Sequence, residues 1–479
     1  MAGIVSFGAY IPIYRLNRKT IGEVWGGEEK KGEKAIANFD EDSITMGVEA
    51  GKECLKDGEW NSSIDALYFA STTSPYKEKQ AASIIAAGLD LREDIFAADI
   101  TDSIRSGTIA LKIALDTVTS GSARSALVIA SDCRIPPPNS SLEPIFGDGA
   151  AAFLIGREKS VVKFEGSYYI TSEFLDFWRL EYDRIVRTWE DRFIRDEGFL
   201  PYTQRAISGL LKYCNLSLGA FAEAVFYAPD ARLHREVGRM LNLDAKDRVQ
   251  NLMFDQIGNT GAALVPMMLV ASLEMAKAGD AILLANYGDG AEAHILRVTD
   301  QISSVTNRKS FKKNLDSKLM LENYGRYIKF RDLMEFEHTP EFRLRTYLPQ
   351  MWRDRQWVYR FHGHKCKRCA KEQFPMQKRC MYCGAASEFL EEIPLAHRKG
   401  TLFTYGVDER APVVDPPNVV ATVNLGGGAR FYSQMTDRDV KSLKVGMPME
   451  LTFRRIHDAL GIHNYFWKCR PIRDKVTEE

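Results

Sequence analysis

Along residues 99–116, small and polar positions give way at Gly107-Thr108 to an apolar run in which Ile109, Leu111, Ala114 and Leu115 recur at helical spacing. The pattern predicts a buried helix whose start is preceded by a loop presenting Ile104. Apolar runs bounded by turn residues predict strands at 65–71, 161–164 and 222–228, and apolar periodicity predicts helices at 44–55, 80–88 and 203–214. Strands alternating with helices in this way indicate an α/β layered fold.

The order of elements then returns. SGTIALKIALDTVTSGSARSALVIASD followed by FGDGAAAFLIG is echoed by GNTGAALVPMMLVASLEMAKAGDAILLANYGDGAEAHILRV, with Gly147-Asp148-Gly149-Ala150 matching Gly288-Asp289-Gly290-Ala291. Agreement over a whole helix, turn and strand unit points to duplication. Two related halves would bring the helix starts near Ile104 and Asn259 into one cleft, where unsatisfied N–H groups and helix dipoles favour negative charge.

Beyond residue 400 the period becomes two. GTLFTYGVDERA, NVVATVNLGGGARFYSQMTD, MPMELTFRRI and YFWKCRPI alternate apolar and polar positions between Gly and Pro turns, which predicts a small antiparallel barrel. The intervening residues 301–340 are charged and helix-compatible, the pattern of a structured connector.

Composition narrows the class of function. The 479 residues carry 64 Lys+Arg and 64 Asp+Glu, so no global charge draws the chain to nucleic acid or membrane. With no basic segment followed by an apolar run at the N-terminus, and no apolar run of membrane-spanning length, the chain reads as cytoplasmic. Four of the eight cysteines (Cys54, Cys133, Cys214 and Cys469) are scattered. The others, Cys366, Cys369, Cys380 and Cys383, form two C-x2-C knuckles suited to a tetrahedral structural Zn²⁺, although iron in a rubredoxin-like setting uses the same ligands. Four sulfurs complete such a site, leaving His362 and His364 as bystanders.

Several motifs in the first 300 residues also resemble a known family. LYFASTTSPYKEKQAASIIAAGLDL, DSIRSGT, FGDGAAAFLIG, SEFLDFWRLEYDRIVRTWEDRFIRDEGF, FYAPD and IGNTGAA together look like the archaeal and bacterial 3-hydroxy-3-methylglutaryl-CoA synthase branch of the thiolase superfamily. Over residues 340–476, the helix YLPQMWRDRQWVYRF, the cysteine ribbon and the barrel resemble zinc-ribbon/OB-fold proteins that accompany thiolase-like acyl-CoA enzymes. The resemblance implies a duplicated αβαβα fold, a homodimer and an acyl-CoA substrate. It places thiolase-like halves at 1–160 and 161–300, a helical connector at 301–350, a zinc ribbon at 351–386 and an OB-fold domain at 387–479. It also weighs against nucleic acid as the partner of the basic ribbon residues Lys365, Lys367, Arg368, Lys371, Lys378 and Arg379.

Carried over residue by residue, the resemblance exposes a departure. The family's nucleophilic Cys falls at Ile104, its Glu at Thr72 and its His at Tyr227, and only its Asn is matched, at Asn259. The nearest histidine, His234, is expected on a helix surface. Cys-independent aldol or retro-aldol (or Claisen-type) chemistry on a β-hydroxy- or β-ketoacyl-CoA is the activity that fits, and the aldol route needs no acyl-enzyme. It would use Tyr227 as acid, base or hydroxyl-orienting group, Asn259 as enolate support, and Ser103 and Thr72 as hydrogen-bond donors, with Ile104, Gly258 and Thr260 against the substrate. Two alternatives stay open: a non-catalytic acyl-CoA-binding or scaffold subunit partnering a Cys-containing thiolase, and acyl transfer without a covalent Cys, direct or through Ser103.

Overall fold

The computed structural model describes residues 2–27, 30–56, 62–243, 252–305, 309–335 and 345–473. It divides into two compact units: Met1–Ala37, Asp42–Ser83 and Arg92–Tyr327 form the first, and Asn38–Glu41, Ile84–Leu91 and Ile328–Glu479 the second.

The first half of the first unit contains β1 (Gly3–Tyr10), α1 (Ser43–Leu55), β2 (Ile64–Ala70), β3 (Phe96–Ile100), α2 (Ser106–Ser120), β4 (Ser125–Asp132) and β5 (Gly149–Gly156). The second half contains β6 (Val162–Thr171), α3 (Leu200–Cys214), β7 (Glu223–Phe226), α4 (Leu264–Leu273), β8 (Ala281–Tyr287) and β9 (Gly290–Val298). Sheet order is β7-β8-β9-β6-β1-β5-β4-β2-β3. In the first half β2 runs parallel to β3 and β4, and β5 and β1 follow antiparallel. In the second, β7 runs parallel to β8, and β9 and β6 follow antiparallel. The two half-sheets therefore share order and direction, as the sequence echo predicts, and they meet where Gly3 and Ile4 pair with Lys163 and Val162.

Burial assigns the layers. Every residue of α4 is buried, and it packs against β1 and β5 on one side and β7 and β8 on the other. A helix that is apolar all round belongs between sheets. The helix α2 lies beside it, while α1 covers the first half-sheet and α3 the second. The result is αβαβα layering. At the centre, a Cβ on Gly107 would lie 2.4 Å from the Ala262 carbonyl oxygen and 2.9 Å from Pro266 Cγ, so the starts of α2 and of the turn into α4 meet at a distance only glycine permits.

Local readings differ at two places. β6 continues well beyond the predicted 161–164 because β9 pairs with it as far as Thr171. His234 is not a surface residue: the phase of the helix Ala231–Met240 turns Leu233, His234, Val237 and Gly238 inward, and the imidazole stacks on Phe226 at 4.4 Å. Burial pushes its pKa down to about 3.

In the second unit, His362–Cys366 is the middle of a three-stranded sheet with Glu372–Gln373 and Leu390–Pro394. A five-stranded antiparallel sheet follows in the order Arg430–Gln434, Asn418–Asn424, Gly400–Asp408, Pro448–Ala459, Ile462–Pro471. Phe361, Phe374, Phe431, Phe466 and Trp467 pack together in this unit. The fully buried Arg454 meets Asp40 at 3.1 Å and Glu41 at 2.8 Å, so the burial of its charge is compensated by ion pairing.

Candidate functional site

The end of β4 places Asp132, fully buried, between the 71–73 loop and the turn into α4. Its carboxylate accepts hydrogen bonds from Ser71 Oγ (3.0 Å), the Thr72 N–H (2.8 Å) and Oγ1 (2.9 Å), the Thr73 N–H (3.1 Å) and Oγ1 (2.9 Å), and the Ala262 N–H (2.8 Å). One carboxylate thus ties the 71–73 loop of the first half to the helix start of the second. Thr72 spends its hydroxyl on this clamp, and its carbonyl accepts from Arg179.

Tyr227 stands one residue beyond β7, 1% exposed, its backbone N–H held by the Ala285 carbonyl. Asn259 Nδ2 reaches the Tyr227 hydroxyl at 3.5 Å and the Pro229 carbonyl at 3.1 Å, while its Oδ1 accepts from Arg134 (2.8 Å) and the Gly261 N–H (3.0 Å). Both ends of that amide are engaged, so Asn259 fixes Arg134 and the loop ahead of α4. Burial pushes the Tyr227 hydroxyl up to about 12 despite the Arg134 charge, which keeps it a neutral donor near pH 7. Arg134 is itself buried, its guanidinium 4.1 Å from the centre of the Phe146 ring.

Two further groups complete this constellation. Tyr287, at the end of β8, stacks on Tyr227 with centroids 6.0 Å apart, and Phe199 meets both rings edge-on. Asp176, 6% exposed, interacts electrostatically with Arg134, Tyr227 and Tyr287. Its Oδ1 accepts the Phe177 N–H at 2.6 Å, and its buried Oδ2 has no donor at full hydrogen-bond geometry, the Tyr287 hydroxyl being its nearest hydrogen-bonding neighbour. Burial pushes this carboxyl up to about 6.

Ile104, 8% exposed, belongs to the main apolar core, and a Cβ on Gly288 would lie 2.8 Å from its Cγ1 and 3.0 Å from Ser103 Oγ. The loop before α2 is therefore pressed against the residue that follows Tyr287. Ser103 Oγ accepts the Arg105 N–H at 3.3 Å, and no side chain caps α2. The second helix start differs, since Asp132 and Asn259 already take the Ala262 and Gly261 N–H groups. Thr260 is buried and bonds to Met267 Sδ at 3.5 Å, and Gly258 packs on the backbone of residues 145–147. Tyr227 and Asn259 meet directly, while Ile104 and Ser103 lie against Gly288, the neighbour of the Tyr287 that stacks on Tyr227, and Thr72, Gly258 and Thr260 are engaged in packing and hydrogen bonds within the fold. Arg134, Asp132, Asp176 and Tyr287 join the site without standing at positions that the family resemblance points to. Their signals were polar residues placed directly after or at the end of buried strands and in the Asp-Phe-Trp-Arg motif.

Beside this loop, Arg18, Lys30, Lys31, Arg232 and Arg235 line a cavity of about 340 Å³ that also touches Ile145 and Phe254. Asp230 is the acidic residue in that lining.

In the second unit the four ribbon cysteines bring their Sγ atoms within 4.8 Å of one another. Tight turns shape each knuckle: the Ala370 N–H bonds to the Cys366 carbonyl at 2.8 Å and the Gly384 N–H to the Cys380 carbonyl at 2.9 Å. Backbone N–H donation from Cys369 pulls the Cys366 thiol down to about 7, the direction that favours a thiolate ligand. This donor set fits a metal ion.

Residues 98–171 match the family model of 3-oxoacyl-[acyl-carrier-protein] synthase III, and residues 393–454 that of the C-terminal OB-fold domain of ChsH2. The hydroxymethylglutaryl-CoA synthase of Methanopyrus kandleri is 33% identical over 344 residues, covering 70% of this chain and 98% of the relative. That of Pyrococcus furiosus is 34% identical over 303 residues, covering 62% and 86%. A solved HMG-CoA synthase complexed with CoA superposes with a TM-score of 0.62 at 21% identity, covering 72% of this chain and 94% of that one. The 3-oxoacyl-[acyl-carrier-protein] synthase III of Aquifex aeolicus VF5 gives 0.56 at 21% identity, covering 62% and 100%. These likenesses show the thiolase-like fold, with an OB-fold region behind it.

Proposed function

Since the chain belongs to the hydroxymethylglutaryl-CoA synthase family, we propose that it makes or breaks a carbon–carbon bond next to a CoA thioester by aldol or retro-aldol chemistry, without an acyl-enzyme. The observation that carries this reading is the buried Tyr227–Asn259–Arg134 constellation at the helix starts. A family enzyme that had lost only its nucleophile would retain the His and Glu that serve it. Here Ile104, Tyr227 and Thr72 stand at all three positions, and the replacements pack and bond coherently.

Tyr227, held neutral by its pKa, donates to the β-oxygen of the substrate and polarises the carbonyl that forms or reacts there. The thioester oxygen takes enolate charge beside the uncapped start of α2, where N–H groups and the helix dipole favour an anion, and the buried Arg134 adds positive charge nearby. Asn259 positions Arg134 and Tyr227. Ile104 fills the place of a nucleophile with an inert side chain, so acyl capture is suppressed. The five-cation cavity next to the Asn259 loop suits the phosphates of CoA.

The ribbon cysteines would hold one structural Zn²⁺, which supplies folding energy and takes no part in the reaction. The protein would act as a homodimer through β3, the edge strand, whose Phe96 is 62% exposed. The test is incubation of the purified protein with a panel of β-hydroxyacyl-CoA thioesters, followed by product analysis. Cleavage to a shorter acyl-CoA and a carbonyl compound supports the reading. Acyl-CoA binding with no cleavage replaces it with the scaffold reading.

A further inference from the structure

Tyr227 as a neutral donor leaves the retro-aldol reaction without a base. From the buried Oδ2 of Asp176, which lacks a donor at full hydrogen-bond geometry and sits among Tyr287, Tyr227 and Arg134, we infer that Asp176 is the proton-transferring carboxylate and that the substrate class is β-hydroxyacyl-CoA. This assignment rests on the reading proposed above. Buried carboxylate oxygens in native structures normally meet a donor, and the hydroxyl of a bound substrate would supply one here. The one donor the enclosure turns toward this carboxyl is the Tyr287 hydroxyl, which falls short of full hydrogen-bond geometry, and Phe199 packs on Tyr287. Asp176 Oδ1 is anchored by the Phe177 N–H, which leaves Oδ2 as the reacting atom.

The proton balance closes on this one group. Asp176 Oδ2 takes the β-hydroxyl proton, the C–O bond becomes a carbonyl, and the Cα–Cβ electron pair moves into the thioester enolate. The resulting carboxylic acid returns the same proton to Cα, releasing a saturated acyl-CoA and an aldehyde or ketone. No oxidant, reductant or added nucleophile enters. A β-ketoacyl-CoA offers no hydroxyl proton, and its cleavage needs a nucleophile that Ile104 cannot provide, so the β-keto branch of the substrate class drops out. The charged and titratable groups facing Asp176 are Arg134, Tyr227, Tyr287 and Asp289. A carboxyl lifted to about 6 is ionised at neutral pH and still basic enough to accept a proton.

The reverse half-reaction gives a test that needs no knowledge of the aldehyde. The whole protein is incubated with propionyl-CoA in D₂O, deuterium at Cα is read by mass spectrometry, and β-hydroxyacyl-CoA cleavage is measured alongside. Wild type is expected to exchange, and Asp176→Asn to lose about 100-fold or more in both assays with an unchanged melting temperature. Asp176→Glu restores part of the rate, and the exchange rate climbs through pH 6 in wild type but not in the Asn variant. If Asp176→Asn exchanges and cleaves like wild type, this assignment falls while the aldol reading stands. If wild type neither exchanges nor cleaves, both fall.

Discussion

Asp132 and Tyr227 show opposite uses of a buried polar side chain. Asp132 receives six donors and holds loops from both halves, so removing its charge leaves those donors unpaired. Asp132→Ala is expected to cost about 3–5 kcal/mol in denaturant unfolding, the range for breaking a buried charged network. Tyr227 is different because its hydroxyl has only one long contact, to Asn259 at 3.5 Å. Tyr227→Phe should leave the melting temperature within a few degrees of wild type and reduce β-hydroxyacyl-CoA cleavage by about 100-fold. His234 gives a pH signature. Its folded pKa lies below the unfolded value, so its contribution is intact above pH 6.5 and is lost as pH falls toward 3. Stability in that window should fall by up to about 1.4 kcal/mol per pH unit from this residue, and His234→Phe should flatten the slope in melts from pH 7 to 4. The replacements at 104, 72 and 227 were legible because each stands at a fixed offset from Gly-Thr, Pro-Tyr or Pro-Asp. Asp176 and Arg134 were not, because nothing in local sequence says that residues 42 apart converge on one tyrosine.

At the level of elements, the starts of α2 and α4 look alike in sequence and are chemically unlike in the fold. The first has no side-chain cap, whereas Asp132 and Asn259 cap the turn into the second. The duplication could be read from element order, since β2, β4, β5 and β1 correspond to β7, β8, β9 and β6. The capping could not, because Asp132 reaches Ala262 across 130 positions. The ribbon was legible from spacing alone, as two C-x2-C knuckles place four sulfurs within 4.8 Å. Elemental analysis of protein purified without added metal should find one zinc per chain, and Cys369→Ser should lose it and lower the melting temperature of the second unit.

At the scale of the whole molecule, a hydroxymethylglutaryl-CoA synthase family fold is followed along the chain by an OB-fold region. The exposed edge of β3 leads directly into the loop carrying Ile104. Sedimentation should therefore give a dimer, and Phe96→Lys should weaken it and lower activity together. The most direct test of the central claim combines product analysis with intact mass during turnover of a β-hydroxyacyl-CoA panel. Cleavage to acyl-CoA and a carbonyl compound is expected while the protein mass stays unchanged throughout. A stable mass increase equal to an acyl group, or tight acyl-CoA binding with no cleavage of any member, would contradict it.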